Sequence, residues 1–243
     1  MNDTMLWCAT VRNKSFEERI EAAQAGDFPA MSMFPTDYHT YMNEGLSAEE
    51  MRTLMTESGV DVTVLDPFTK WVPEWDPPKE MSDGDLAFAD FDEDEFFEMG
   101  TALDVDSINL VESFGNEVSI DAAAESFGQV CDRAADHGWQ VHLEFMPISG
   151  IPDLETAWAI VSEADRPNGG LFIRHVALLS WGTRSRLAQV DPGRSDLSCA
   201  TGGRRRGSRE IALQRPATLS TAAGRGRLRP PDRDRDSRRH RGA

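Results

Sequence analysis

Apolar positions in the first 173 residues follow two alternating periods. "MLWCATV", residues 5–11, is a short apolar run suited to a buried strand. Ser15 then precedes Phe16, with Glu18 three residues on, a pairing that marks a helix start. Phe16, Ile20 and Ala23 recur at helical spacing, Gly26 ends the pattern, and "PAMSMF" reads as a second strand. The unit repeats with Ser47 and Glu50 at the helix start, Met51, Leu54 and Met55 as the apolar stripe, Gly59 at the stop and "VDVTVL" as the strand. A third copy places Phe127, Val130, Cys131 and Ala134 on one helical face, then Gly138 and "WQVHLEFM". Further strands are predicted at 107–112 and 170–173. Alternating strands and helices joined by right-handed crossovers give a parallel sheet, either open or closed into a barrel.

The stretch from Asp66 to Gly100 breaks this rhythm with Pro, Trp and acid, as in "WVPEWDPPKE" and "DFDEDEFFEMG". It predicts a long loop after the third strand and a short helix near 93–102. Such loops often cover the functional face of an α/β fold, though a merely solvated acidic insertion fits equally well. Tyr38, His39, Trp71 and Trp75 are candidate pocket residues on the same footing, with loop packing as the alternative.

Charge divides the chain. Residues up to Ile173 carry 36 Asp/Glu against 8 Lys/Arg, whereas from Arg174 onward there are 17 Arg, no Lys and 6 Asp/Glu. The acidic part argues against nucleic-acid or anionic-membrane partners and fits a well-solvated, salt-adapted protein. Cys8, Cys131 and Cys199 are odd in number and far apart, which suits reduced thiols. No signal-like start and no membrane-length apolar run are present, so the expectation is a soluble, cytoplasmic protein. Homo-oligomerisation is left open.

The most informative chemistry lies in "VHLEFMP", 141–147. Period-two alternation puts Val141, Leu143 and Phe145 on one side, and His142, Glu144 and Met146 on the other. A carboxylate inside a buried strand is costly unless it is paired or binds a metal. Few cations occur in this part of the chain, so a divalent ion outweighs a structural ion pair as the partner of Glu144. His142 alone reads as a satisfied core histidine. Glu112, closing "SINLVE", is a second candidate catalytic carboxylate, on a weaker signal.

"TVRNKSFEERIEAAQAGDFPAMSMFPTDY", "HGWQVHLEFMPISGIPDLETAWAIV" and "RPNGGL" together resemble the xylose isomerase-like TIM barrels, the sugar phosphate isomerase/epimerase group, over about residues 5–173. The resemblance implies an α/β fold of the (β/α)8 type, incomplete here at about six β/α units. It implies a divalent metal (Mn, Mg, Co or Zn), with Glu144 as the one matching ligand. It also implies metal-dependent isomerisation or epimerisation of a small sugar or polyol derivative. Dehydratase or lyase chemistry on the same barrel is the alternative. Abasic-DNA cleavage ranks below both, because the chain has 5 His and an acidic body.

The family's next strand should carry a D-T-W-H-like stretch, and the chain instead has "IRHVALLSWG". Codons compatible with Ile173 onward, read one base later, can spell F-D-T-W-H-F-F-R-G. The same shift turns 192–203 into P-G-D-R-I-F-H-V-Q-L-A-D and 223–233 into P-G-E-G-D-F-D-L-P-I. Residues 1–173 are therefore read as the barrel portion. Residues 174–243 are read as an out-of-frame, irregular, disordered Arg-rich tail, too poor in apolar residues to fold. The product as it stands is expected to be inactive. The competing reading is a genuine basic tail that binds RNA through "GGRRRGSR" and "DRDRDSRRHRG".

Overall fold

The computed structural model describes residues 4–174 and the strand at 210–214. Six parallel strands follow one another in chain order: β1 (Met5–Leu6), β2 (Ala30–Met33), β3 (Asp61–Phe68), β4 (Ser107–Val111), β5 (Gln140–Glu144) and β6 (Gly169–Arg174). They curl into a half-barrel with helices between them: α1 (Phe16–Ala25), α2 (Pro35–Asn43), α3 (Ala48–Ser58), α4 (Asp83–Ala89), α5 (Glu93–Leu103), α6 (Ile120–Asp136) and α7 (Leu154–Ala164). Sequential parallel pairing with helical crossovers is the arrangement of an incomplete β/α barrel.

The helix starts follow the predicted chemistry. Ser15 and Ser47 each accept a hydrogen bond from the backbone N–H three residues on, and Glu18 and Glu50 reach back to the cap N–H. Both capping boxes thus satisfy N–H groups that the helix itself leaves unpaired. Gly59 closes α3 in the left-handed region, φ 69°, a conformation that favours glycine. On α6 the stripe Phe127, Val130, Cys131 and Ala134 is fully buried against the sheet. A Cβ on Gly169 would stand 2.8 Å from the Phe127 ring, so glycine is what lets α6 approach β6 this closely.

Several expectations are revised. The run 5–11 is a strand only at Met5–Leu6; Cys8–Val11 forms a 3-10 turn, and the Cys8 N–H donates to Ser32 Oγ at 3.1 Å. Pro35 opens α2, where its missing N–H costs nothing in the first turn. The acidic segment after β3 carries α4 as well as the expected α5, with Ser82 capping α4. The tail contributes one strand, β7 (Glu210–Gln214), antiparallel to β6, so the β6 edge is paired rather than open. The rest of the Arg-rich tail lies outside the described residues. No helix among those described is long and apolar enough to cross a membrane.

Replacing Ser47 with Ala removes the hydroxyl that accepts the Glu50 N–H, while the backbone N–H of residue 47 can still donate to the Glu50 carboxylate. The expected loss is about 1 kcal/mol of stability, measured by urea denaturation, with unchanged far-UV circular dichroism of the native state.

Candidate functional site

Register places the site. Val141 pairs with Gly169, the position that meets α6, so this face of β5 looks toward the helices. His142 and Glu144 therefore lie on the opposite, concave face. Asn109 of β4 is in register with His142 and shares that face, and Asp66 of β3 joins it next to the helix-facing Leu65–Ile108 pair. All four are buried, and Asp66, Asn109 and Glu144 are at most 2% exposed.

Asn109 connects the three strands. Its Nδ2 donates to Asp66 Oδ1 at 2.7 Å and to Glu144 Oε2 at 2.8 Å. The second Asp66 oxygen accepts from the Trp7 indole N–H at 3.2 Å. Sequence reasoning found Glu144 but missed Asp66 and Asn109. The same signal was available for both, namely a polar residue inside an apolar strand, in "VTVLDPF" and "SINLV".

His142 is on the concave face beside the Phe172 ring, centroids 6.0 Å apart, and neither ring nitrogen has a hydrogen-bond partner among the described residues. The expectation of a satisfied core histidine is not met. Burial disfavours the imidazolium and pushes its pKa down to about 4, so the ring is neutral at pH 7. The Asn109 Oδ1 is likewise buried without a partner among the described residues.

Glu112, immediately after β4, is committed elsewhere. Its carboxylate accepts backbone N–H groups from Phe114 (2.7 Å), Gly115 (3.0 Å), Asn116 (3.4 Å) and Gly150. This fastens the loop after β4 to the loop after β5. The other rim candidates are mostly packing residues. Trp71 is buried and donates to the Val111 carbonyl at 3.1 Å. Trp75 packs edge-on to Phe114 beneath the Lys70 ammonium, and His39 stacks on Phe91 with Tyr38 edge-on to it.

The described residues do not by themselves make up a divalent-ion site. Two amide hydrogens already point at the Asp66 and Glu144 oxygens, the polarity that a cation would itself supply. Among the described residues, no group of three or more His, Cys, Asp and Glu is arranged to hold a metal. The positions where the resemblance expects further ligands lie outside the described residues.

A family model described as "Xylose isomerase-like TIM barrel" matches residues 20–191. No curated protein matches the sequence. Among solved structures, the IOLI protein with a bound zinc atom superposes with a TM-score of 0.54 at 15% identity, covering 69% of this chain and 60% of that one. A D-psicose 3-epimerase crystallised in the presence of D-fructose gives 0.51 at 15% identity, covering 69% and 61%. A Bacillus anthracis protein described as a "probable 3-DHS dehydratase" gives 0.50 at 16% identity, covering 69% and 61%. At these identities the likeness is one of fold. The chain spans less than two thirds of the length of each of these proteins.

The His142 environment predicts an acid-limb effect in metal-free protein. The folded ring titrates near 4, while the unfolded chain takes up its proton below ~6.5. The stabilising contribution is therefore intact above ~6.5 and is lost as pH falls toward 4, to a full extent of about 3 kcal/mol. His142→Leu removes an unsatisfied polar group, so stability at pH 7 should hold or rise while this acid-limb loss disappears. Denaturant titrations of both proteins across pH 4–7, in chelator, measure the difference; parallel curves would contradict it.

Proposed function

The chain belongs to the xylose isomerase-like TIM barrel family, and we propose that the intact barrel moves a proton between adjacent carbons of a sugar or polyol derivative, as in isomerisation or epimerisation. The carrying observation is Glu144, a buried carboxylate at the last position of β5, on the concave face and held by Asn109. In β/α barrels the strands' C-terminal ends form the reactive face. A carboxylate fixed there suits general-base removal of a proton from a carbon next to a carbonyl, and its return to a neighbouring position.

In this reading Glu112 positions the rim by fastening the loops after β4 and β5, and it reaches the reaction through that rim. A divalent ion, Mn, Mg, Co or Zn, belongs to the reading of the complete barrel, where it would polarise the substrate's oxygens. Glu144 is the one described residue that matches a family ligand. The zinc in the IOLI structure and the sugar named with the epimerase structure support this assignment. Dehydration on the same barrel is the second reading, favoured by the fold likeness to the dehydratase. It begins with the same proton removal and ends with loss of a neighbouring hydroxyl.

From residue 174 onward the chain is read as out of frame, a consequence of the D-T-W-H-like spelling one base away, although the family match itself continues to residue 191. On this reading the remaining ligands and strands belong to the correct frame, and the 243-residue product is inactive. The substrate is a small molecule. Cytoplasmic residence accompanies the reading, and neither a membrane nor a nucleic acid is a partner. Salt-sensitive RNA binding by an isolated 174–243 peptide would favour the basic-tail alternative instead.

Resequencing the codons for Gly169–Trp181, followed by expression of the one-base-corrected gene, tests this function. The corrected protein with Mn²⁺ should interconvert members of a ketose and polyol panel, and the 243-residue chain should not. Glu144→Gln in the corrected protein should lower kcat/KM by about 10²–10⁴-fold. Full activity in that variant would remove Glu144 from the reaction.

A further inference from the structure

We infer that His142 and Asn109 together form a hydroxyl-binding pair on the concave face, the point at which the half-barrel takes hold of an uncharged polyol. The two residues are register partners on β5 and β4. Neighbouring strands lie about 4.8 Å apart, so the two side chains leave adjacent points of one face. His142 is 4% exposed and Asn109 0%. Neither imidazole nitrogen has a hydrogen-bond partner among the described residues, nor has the amide oxygen, so the pair do not bond to each other either. A buried polar atom in this condition carries a desolvation cost that a bound polar group relieves. Three such atoms at one register position make a place for a ligand.

Donors and acceptors specify the occupant. Both amide hydrogens of Asn109 go to Asp66 and Glu144, which leaves its oxygen, an acceptor, as the remaining group. In either tautomer the His142 ring has one N–H donor and one bare nitrogen. A hydroxyl matches this set: its oxygen accepts the imidazole hydrogen, and its own hydrogen goes to Asn109 Oδ1. A carboxylate has no hydrogen for the amide oxygen, and an ammonium has no lone pair for the imidazole hydrogen. Phe172, the register partner of Glu144, sets its ring 6.0 Å from the imidazole and adds an apolar wall for carbon-bound hydrogens.

This pair rests on the proton-transfer reading above and narrows its substrate. His142 stands one concave-facing position before Glu144 on β5, about 7 Å along the strand. A molecule whose reacting carbon meets Glu144 therefore sets a hydroxyl further along its chain on His142 and Asn109. The two residues select an uncharged, hydroxyl-bearing end over a carboxylate or an amine.

The test is NMR of the 243-residue chain labelled with ¹⁵N-histidine, with D-fructose as the neutral probe and formate as the anionic one. Contact with the Phe172 ring identifies the His142 signals among the five histidines. Millimolar D-fructose should shift the His142 ring nitrogens and show cross-relaxation from its carbon-bound protons to the ring, and formate should do neither. His142→Leu, a variant expected to be as stable as wild type at pH 7, should bind D-fructose about tenfold more weakly, the loss of one buried hydrogen bond. Ring signals that D-fructose leaves unmoved would overturn the inference. So would an equal response to formate, a long-lived water at the ring that the sugar does not displace, or unchanged affinity in His142→Leu. If that variant does not fold, the wild-type cross-relaxation decides by its presence or absence. The isomerase reading fails separately: the one-base-corrected protein would then show this ring response without turnover, whereas turnover without the ring response would remove the pair alone.

Discussion

Two buried carboxylates on the concave face, in a body with few cations, are the constraint around which the half-barrel is arranged. The basic side chains of this part of the chain are largely used elsewhere. Arg19 pairs with Asp37, Lys70 with Asp90 and Asp92, Arg133 with Glu93 and Asp94, and Arg166 with Asp132. Those pairs join helices and loops around the sheet. Among the described residues, neutral N–H groups meet the carboxylates of the concave face and rim: the Asn109 amide and Trp7 indole for Asp66, Asn109 for Glu144, and four backbone amides for Glu112. Hydrogen bonds to ionised acceptors are the stronger class, and inside a protein they are weakly screened.

The same donors make the rim a connected structure. Trp71 joins the loop after β3 to the end of β4 through the Val111 carbonyl. Asn116 donates back to the carbonyls of Glu74 and Asp76, and Glu112 carries the connection to Gly150 beyond β5. Three successive strand-to-helix loops are thus fastened above Asp66, Asn109 and Glu144. A reactive carboxylate needs its supporting groups fixed to a fraction of an ångström, and packed, hydrogen-bonded loops provide that more reliably than solvated ones.

The alternating pattern of the body was legible because local signals coincide with tertiary demands. Ser15–Glu18 and Ser47–Glu50 announce their helices, and the stripe from Phe127 to Ala134 is buried as its spacing requires. α2 carried no such signal, since Phe34 precedes it without a side-chain cap and Pro35 stands at its first position. Tertiary contact ended the first strand early, where the Cys8 N–H turns to Ser32 Oγ. At the site, Glu144 stood out because a charge in an apolar strand demands a partner. Asn109 drew less notice because an amide in a strand is unremarkable until register places it between two acids. The bonding of Glu112 was not legible: the four amides that its carboxylate accepts come from loops whose geometry no periodicity encodes.

The sheet changes its mode of pairing at β6. A β–α–β crossover brings the next strand alongside its predecessor in parallel, and a β/α barrel grows by repeating that step. Each passage from β1 to β6 obeys this rule. β7 does not, because it pairs antiparallel with β6. A strand edge presents unpaired N–H and C=O groups to any extended segment, so "EIALQ" can satisfy it without continuing the barrel. Antiparallel pairing of this kind is what the β6 edge accepts from an extended segment that does not continue the β/α repeat.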